Sequence, residues 1–282
     1  MKLVHEIVLV VLAIIGAVSA GRLSHFYKIA QGGVAPAGRH PYQCYLRFDV
    51  RGLQDDLLCG ASVINDRYLL TAAHCADYNL EKVHMEVVCG ATNRKNPEAL
   101  GVYQVEQLIQ HEGFETIKGT TEVAANDLAL VRVSKPIQFS DKVRPIELAT
   151  KPIAPRSQVH AVGYGFTVKD QATQEQLREV DLKVVDRETC QAKWTELNIQ
   201  LRDGMLCVAG AVKEYGDKHS FKGMCPGDSG SSATANNVLV GIMSAGNACG
   251  DSYLHPNIFM DVSYYSDWIK ATIKSNDEKF KN

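Results

Sequence analysis

The 282-residue sequence predicts an all-β fold. Apolar and polar side chains alternate over residues 83–87 and 128–133, and this period of two is typical of half-buried strands. Further short strand-like runs, each bounded by turn residues, cover residues 42–48, 159–162, 177–185 and 238–243. Many short strands with frequent turns predict a sandwich or a barrel, and periodicity does not distinguish the two.

One helix is predicted near the end of the chain. Residues 266–273 show helical periodicity, and Ser266 is placed as the N-cap residue. The residues that follow, 275–282, are polar, and we expect them to fray. The sequence contains no internal repeat and no low-complexity linker.

The first twenty residues have the features of a secretory signal peptide. Lys2 provides a positive start, residues 7–18 are uncharged and apolar, and residues 18–20 are small enough for cleavage. Twelve helical residues rise only about 18 Å, whereas the hydrocarbon core of a bilayer is roughly 30 Å thick. This length favours a cleaved signal over a membrane anchor, so we expect a soluble, secreted, extracellular product.

The charge balance is mild. The full chain carries a net charge of −2, and removal of residues 1–28 would leave 27 basic and 31 acidic residues. Because no dense basic run is present, we expect neither a nucleic acid nor a membrane as a partner. The eight cysteines agree with export, since disulfides persist in oxidising compartments, although eight cysteines allow 105 pairings.

Three segments carry residues suited to nucleophilic catalysis. They are residues 71–75, 126–130 and 225–230, which contain His74, Asp127 and Ser229 respectively. A serine hydroxyl is a poor nucleophile at neutral pH and needs an adjacent base to take its proton. That base in turn needs a carboxylate to hold its tautomer. The glycines on both sides of Ser229 leave room for backbone N–H groups to approach a developing oxyanion.

In the order His, Asp, Ser, these segments resemble the chymotrypsin-like (trypsin-fold) serine proteases. The resemblance extends from residue 29 to about residue 273. It implies two six-stranded antiparallel β-barrels with the active site between them, followed by a C-terminal α-helix. The expected catalytic domain covers residues 29–282, with barrel one at about 29–145, barrel two at about 146–262 and the helix at about 263–275.

The resemblance also implies a role for each residue of the site. Ser229 would attack the scissile carbonyl, His74 would take its proton, and Asp127 would orient His74. The N–H groups of Gly227 and Ser229 would form the oxyanion hole, and Ser244 would support Asp127. We expect protein or peptide substrates, no cofactor and a monomer.

An activation junction is implied at Lys28 and Ile29. Residues 21–28 would form a propeptide, and a trypsin-like protease would cut after Lys28. The freed ammonium of Ile29 would fold inward and pair with Asp228, because a buried charge is tolerable only when it is paired.

The family pattern implies three disulfides, which are Cys59–Cys75, Cys190–Cys207 and Cys225–Cys249. Cys44 and Cys89 remain, both in strand-like runs of the first half. They form either a fourth bridge, which we favour, or a reactive or intermolecular thiol.

The substrate pocket departs from the family pattern. Its expected residues are Gly223, Met224, Ser244, Gly246 and Asn257. A cation selective pocket needs a carboxylate at its floor, and Gly223 and Asn257 offer none. The residue before the cut should therefore be uncharged, with Leu, Met, Phe or Tyr ahead of smaller side chains.

Three further positions differ from the family. Ser231 and Ser232 replace the usual Gly-Pro after the nucleophile, and Ala245 replaces a tryptophan beside the substrate. No metal site is expected, because Ala91 stands where calcium-binding members place an acid. Four histidines can also be compared with the spacing of known metal-binding motifs, and none has a partner at a suitable spacing. They are His111, His160, His219 and His255.

Two functions remain open at this point. The first is a secreted serine endopeptidase made as a zymogen, and the second is a catalytically inactive homologue that acts as a binding or regulatory protein. The retention of His74, Asp127 and Ser229 together with Asp228 favours the enzyme.

Overall fold

The computed structural model describes residues 32–49, 57–95, 101–120, 123–167, 174–210, 222–247, 249, 252 and 254–280. The signal peptide predicted at 1–20, the propeptide at 21–28, the cut between Lys28 and Ile29, and His219 all lie outside the described residues. Within the described ranges, no helix combines the length and apolar character needed to cross a bilayer.

Barrel one is a closed sheet of six antiparallel strands. In chain order they are β2 (Gln43–Asp49), β3 (Leu57–Val63), β4 (Tyr68–Thr71), β5 (His84–Cys89), β6 (Gly101–Gln110) and β9 (Ala129–Val133). Around the barrel they run β2-β3-β4-β9-β6-β5, and β5 pairs with β2 to close it. The small hairpin β7 (Glu115–Thr116) and β8 (Ala124–Ala125) precedes β9. Leu46, Leu69 and Leu130 are fully buried inside, as expected of inward positions on alternating strands.

Barrel two is also closed by six antiparallel strands. They are β11 (Gln158–Gly163), β12 (Arg178–Val184), β13 (Met205–Ala209), β14 (Ser232–Ala235), β15 (Val238–Ala245) and β16 (Asn257–Asp261). Their order is β12-β11-β14-β15-β16-β13, and pairing between β12 and β13 closes the barrel. Two short strands join from outside: β1 (Gly33–Val34) pairs with β12, and β10 (Glu147–Leu148) runs parallel to β15. The prediction of two six-stranded barrels is confirmed.

A small apolar cluster fixes the two barrels against each other. Tyr45 and Val88 from barrel one pack with Val162, Tyr164 and Leu177 from the second half of the chain. The rings of Tyr45 and Tyr164 meet edge to face with centroids 5.4 Å apart, a favoured aromatic geometry. These contacts therefore join barrel one to the second half of the chain.

The C-terminal helix is present, but its bounds and its cap differ from the prediction. It covers Ser266–Lys279, Tyr265 occupies the N-cap position, and no side chain caps the first turn. Ser266 is thus the first helical residue, not the N-cap. The end of the helix continues beyond residue 275 because Asn276 is buried and donates hydrogen bonds to Tyr68 Oη (3.0 Å) and Gln107 Oε1 (2.9 Å).

The sequence analysis missed a second helix, α1 (Arg187–Thr195), which precedes the C-terminal helix, α2. Asp186 caps it by accepting a hydrogen bond from Thr189 N at 2.8 Å, as N-cap aspartates commonly do. Cys190 and Trp194, one turn apart, form its buried face. The signal in the sequence was therefore an acidic cap followed by apolar residues at a spacing of four.

Four disulfides connect the described cysteines, and none of these cysteines is free. The pairs are Cys44–Cys89, Cys59–Cys75, Cys190–Cys207 and Cys225–Cys249. Cys44 and Cys89 are direct cross-strand partners on β2 and β5. The disulfide Cys59–Cys75 joins β3 to the turn that carries His74, so it restrains the backbone position of His74.

Candidate active site

Asp127 is the centre of a hydrogen-bond network that joins the two barrels. It lies between β8 and β9 and is only 1% exposed. Its Oδ1 accepts from His74 N (2.8 Å), and its Oδ2 accepts from Ser244 Oγ (2.6 Å) and contacts His74 Nδ1 (2.8 Å). His74 sits in a 3-10 turn, Ala73–Ala76, directly after β4, whereas Ser244 belongs to β15. Barrel two therefore supplies one donor to a carboxylate of barrel one.

His74 and Ser229 line the same cleft, which has a volume of about 390 Å³. Ser229 lies in the loop before β14 and is half-buried. Among the described residues, no hydrogen bond joins Ser229 Oγ to the His74 ring. Such bonds are often long until substrate binds. The arrangement brings together a hydroxyl, an imidazole and a buried carboxylate that are distant in sequence.

The loop that carries Ser229 is held by backbone hydrogen bonds on both sides. Gly60 N donates to Ser229 O (2.7 Å), and Gly230 N donates to Met243 O (2.8 Å). Gly227 has a φ of 89°, a conformation that glycine adopts at little cost. Within the described part of the chain, the N–H groups of Gly227 and Ser229 donate to no protein acceptor. They are therefore free to bind an oxyanion in the cleft.

The pKa of His74 is raised above its ordinary value. Burial alone would lower this pKa, but the hydrogen bond and the negative charge of Asp127 outweigh the burial. The Nδ1 position is taken up by Asp127, so the Nε2 lone pair remains for a proton from the cleft. A histidine placed in this way can act as a general base near neutral pH.

The two walls of the substrate pocket are bridged by the side chain of Asn257. Its Oδ1 accepts a hydrogen bond from Met224 N at 2.9 Å, and a Cβ placed on Gly246 would overlap its Nδ2. Met224 and Asn257 are each 1% exposed. Gly223, expected at the pocket floor, is buried behind this amide and does not line the cleft. Met224, Ser244 and Gly246 do line it.

One group of possible metal ligands lies at the site. Side-chain atoms of Cys59, His74 and Cys75 are all within 4.8 Å of one another. The two sulfurs are bonded to each other, so neither offers a thiolate to a metal. His111 stacks against Trp268, and His160 contacts Asp181.

A family model described as Trypsin matches residues 29–269. The chain belongs to the trypsin family. It is 33% identical to Chymotrypsin-2 of Vespa crabro over 244 residues, which cover 86% of this chain and 98% of that protein. It is 30% identical to Trypsin of Sarcophaga bullata over 271 residues, covering 94% and 97% of the two chains. The solved structure of neuropsin, a serine protease expressed in the limbic system of mouse brain, superposes with a TM-score of 0.71 at 25% identity; the match covers 86% of this chain and 99% of that one. The chain is accordingly a serine-type endopeptidase.

In this trypsin-family endopeptidase, the residue before Asp127 has a supporting role that the sequence analysis missed. Asn126 has a φ of 51°, in the left-handed region, which asparagine tolerates better than most residues. Its Nδ2 donates to Gly113 O (2.8 Å), and its Oδ1 accepts from Tyr265 Oη (3.1 Å). These bonds fix the turn that aims Asp127 at His74.

Asp228 is fully buried and directly precedes Ser229 in the chain. Its Oδ1 accepts from Gly165 N (2.7 Å) and its Oδ2 from Cys225 N (2.9 Å). A Cβ on Gly163 or Gly165 would overlap its carboxylate, so these positions require glycine. Burial raises the pKa of Asp228 to about 7, although the two backbone hydrogen bonds and the charge of Arg178 oppose the rise.

The departures from the family pattern have distinct structural consequences. Ser232 is fully buried, and its Oγ donates to Gln43 Oε1 at 2.8 Å, so β14 is bonded to barrel one. Ser231 is also buried, but its hydroxyl has no partner. Ala245 lines the cleft where an aromatic wall was expected from the family.

Proposed function

We propose that this endopeptidase is made as a secreted zymogen and hydrolyses peptide bonds through an acyl-enzyme, with an uncharged residue before the cut. The observation that carries the proposal is the chain of hydrogen bonds from Ser244 through Asp127 to His74, opening into the cleft that Ser229 lines. The motif of small residues at 18–20 and the junction at Lys28 support secretion and activation.

The mechanism follows from the atoms at the site. Ser229 Oγ bonds to the scissile carbonyl carbon while its proton passes to His74 Nε2. The carbonyl oxygen becomes an oxyanion that the N–H groups of Gly227 and Ser229 bind. His74 then gives its proton to the leaving amine, and an acyl-serine remains. In the second half of the reaction, water attacks the acyl carbon while His74 takes its proton. His74 then returns a proton to Ser229 Oγ as the acyl–oxygen bond breaks and the second product leaves.

The pocket favours small uncharged side chains over the Leu, Met, Phe and Tyr that the sequence placed first. Met224 and Met243 line the cleft and are almost fully buried, and Asn257, which accepts a hydrogen bond from Met224 N, is also buried although it does not line the cleft. We infer that these side chains leave little room for a large substrate side chain. A substrate cation would find no carboxylate among the described pocket residues, and an unpaired buried charge is costly.

The function is tested by treating the secreted protein with trypsin and then with a serine-directed phosphonate. We expect one label per chain, on Ser229, and hydrolysis of members of a diverse peptide library after uncharged residues. Correctly processed protein that takes no label and cleaves no peptide would instead support an inactive homologue. Dominant cleavage after Lys or Arg would overturn the proposed pocket.

Replacing Lys28 by Ala should leave a secreted protein with at least about 100-fold lower activity after trypsin treatment. The reason is that Asp228 would lack its ammonium partner, and loss of one oxyanion donor alone costs about 10²–10³ in rate. Peptide hydrolysis measures the activity, and N-terminal sequencing shows whether the chain has been cut after residue 28. The matched control is Lys118→Ala, an exposed lysine elsewhere, which should be processed and active. Full activity from protein that still carries Lys28 would contradict the proposal.

Replacing Asn257 by Gly should widen the pocket. We expect kcat/KM for Phe relative to Ala before the cut to rise at least about 10-fold, because pocket volume of this size is worth roughly 10- to 200-fold in selectivity. The control is Asn247→Gly, which changes an exposed asparagine at the rim of the same cleft. An unchanged ratio in Asn257→Gly would show that its amide does not limit the pocket.

A further inference from the structure

A buried arginine, Arg178, lies on the side of the sheet that Asp228 occupies, and the activation scheme gives this arginine no role. Arg178 is the first residue of β12 and is only 3% exposed. One guanidinium nitrogen donates to Gly32 O at 3.0 Å. Its Nε is buried and has no hydrogen-bond partner among the residues that the structure describes. Arginine is almost never fully buried unless it is paired.

The sheet register places Arg178 on the same face as the Asp228 carboxylate. Arg178 is the direct antiparallel partner of Gly163, and directly opposed Cβ positions lie about 4.5–5.5 Å apart on one face. The Cβ direction of Gly163 points into Asp228 Oδ1. The side chain of Arg178 therefore leaves the sheet toward the region that Asp228 occupies.

The other groups around Asp228 do not supply a positive charge. The backbone N–H groups of Gly165 and Cys225 bond it, and the unpartnered Ser231 hydroxyl lies on the same side of Gly163. Tyr164 remains protonated, because burial raises its pKa. Within the described residues, Arg178 is the cation whose charge acts on Asp228.

We propose that Arg178 is a counter-ion of Asp228, a positioning residue whose charge keeps this carboxylate buried and whose hydrogen bond to Gly32 O holds the chain just before β1. The loop that carries Gly227 and Ser229 is then partly ordered before Ile29 arrives. Arg178 also contacts the chain four residues after the Lys28 position, so the same side chain guides the new N-terminus toward its pocket. The inference rests on the proposed role of this loop, but its first test needs no catalysis.

The test uses two matched variants of the uncleaved chain, Arg178→Gln and Arg178→Lys, in a Ser229→Ala background that prevents self-digestion. Both side chains can donate to Gly32 O, and only Lys keeps the charge. Burial raises the pKa of Asp228 to about 7, so this group is protonated at pH 5 and ionised at pH 8. We expect the Tm of Arg178→Gln to fall at least about 2 °C more at pH 8 than at pH 5. The Tm of Arg178→Lys should fall by the same small amount at both pH values.

Other titrating groups lie near Arg178, and their effect on Tm must be separated from that of Asp228. The next residue, Glu179, bonds Arg39 and His40, and this cluster is intact in both variants. Arg144→Gln, which breaks an exposed ion pair with Asp141 outside this cluster, should change Tm equally at the two pH values. An equal loss at pH 5 and pH 8 in Arg178→Gln, or a Lys variant that behaves like Gln, would overturn the proposal.

A second readout uses the trypsin-processed enzyme with Ser229 intact. Without the positive charge the Asp228 carboxylate is held less firmly, so kcat/KM measured at pH 8, above the acid limb that His74 sets, should be lower in Arg178→Gln than in Arg178→Lys. Equal kcat/KM values in the two variants would count against the proposal. If the unmodified protein cleaves no peptide, the proposed function fails, whereas the Tm comparison still decides the role of Arg178.

Discussion

Replacing Ser229 by Ala should lower kcat by about 10⁶-fold while leaving the fold intact. The variant loses only the hydroxyl group, the proposed nucleophile, which lines the same cleft as the His74 ring that Asp127 holds. The small residual rate comes from substrate binding and the N–H groups of Gly227 and Ser229, which the variant keeps. Steady-state peptide hydrolysis, with thermal unfolding as the check on folding, measures the effect.

The same experiment extends to His74. Alone, His74→Ala should cost about as much as Ser229→Ala, and the double variant should cost little more, because the two groups act as one unit. Ser134→Ala, an exposed serine, is the control and should retain full activity. Additive losses in the double variant, or hydrolysis retained in Ser229→Ala, would rule out the mechanism.

The second large effect is expected from Asp127→Asn, which should lower kcat about 10⁴-fold. Asp127 faces two donors in His74 and one in Ser244, and a carboxylate can accept from all three. An amide presents one oxygen and one NH₂ group. The NH₂ group must then face one of these donors, unless the His74 ring carries its proton on Nε2 instead of Nδ1. In that tautomer Nε2 has no free lone pair, so His74 cannot serve as the base.

The residual activity of Asp127→Asn should also have a different pH dependence. A base works only when it is neutral, so activity falls as pH drops through the pKa of His74. In the unmodified enzyme that pKa is held above its ordinary value by Asp127, against the effect of burial. Without the charge, burial prevails and the acid limb should move to lower pH. A limb at the same pH in both proteins would show that another group, such as Asp228, controls it.

The candidate catalytic residues could be proposed from the sequence, whereas the contacts around them could not. The contexts of His74, Asp127 and Ser229 are local, so each can be identified within six residues. The fold followed from the same motifs together with the alternating strands, and strand periodicity alone left sandwich and barrel open. The disulfide partners needed the family pattern, since cysteine spacing does not specify pairing.

What the sequence did not predict depends on contacts between distant segments. The amide of Asn257, the first residue of β16, reaches Met224 and Gly246 only because three segments that are distant in sequence meet there, and the local sequence does not indicate this contact. The end of α2 looked frayed because Asn276 is polar, yet its amide is satisfied inside barrel one. Arg178 resembled any strand arginine until the register placed it opposite Gly163.

The first described strand and the last helix each pack against the barrel that is farther from them in the sequence. Strand β1 precedes barrel one in sequence but pairs with β12 of barrel two. Helix α2 follows barrel two, and through Asn276 it bonds Tyr68 of barrel one. A chain divided near residue 145 would give two fragments that keep their own six strands, but each fragment would lose a segment that packs on it from the other half: β1 for barrel two and helix α2 for barrel one. Because His74 belongs to barrel one and Ser229 to barrel two, we expect these two crossed contacts to help hold the proposed base and nucleophile on opposite sides of one cleft.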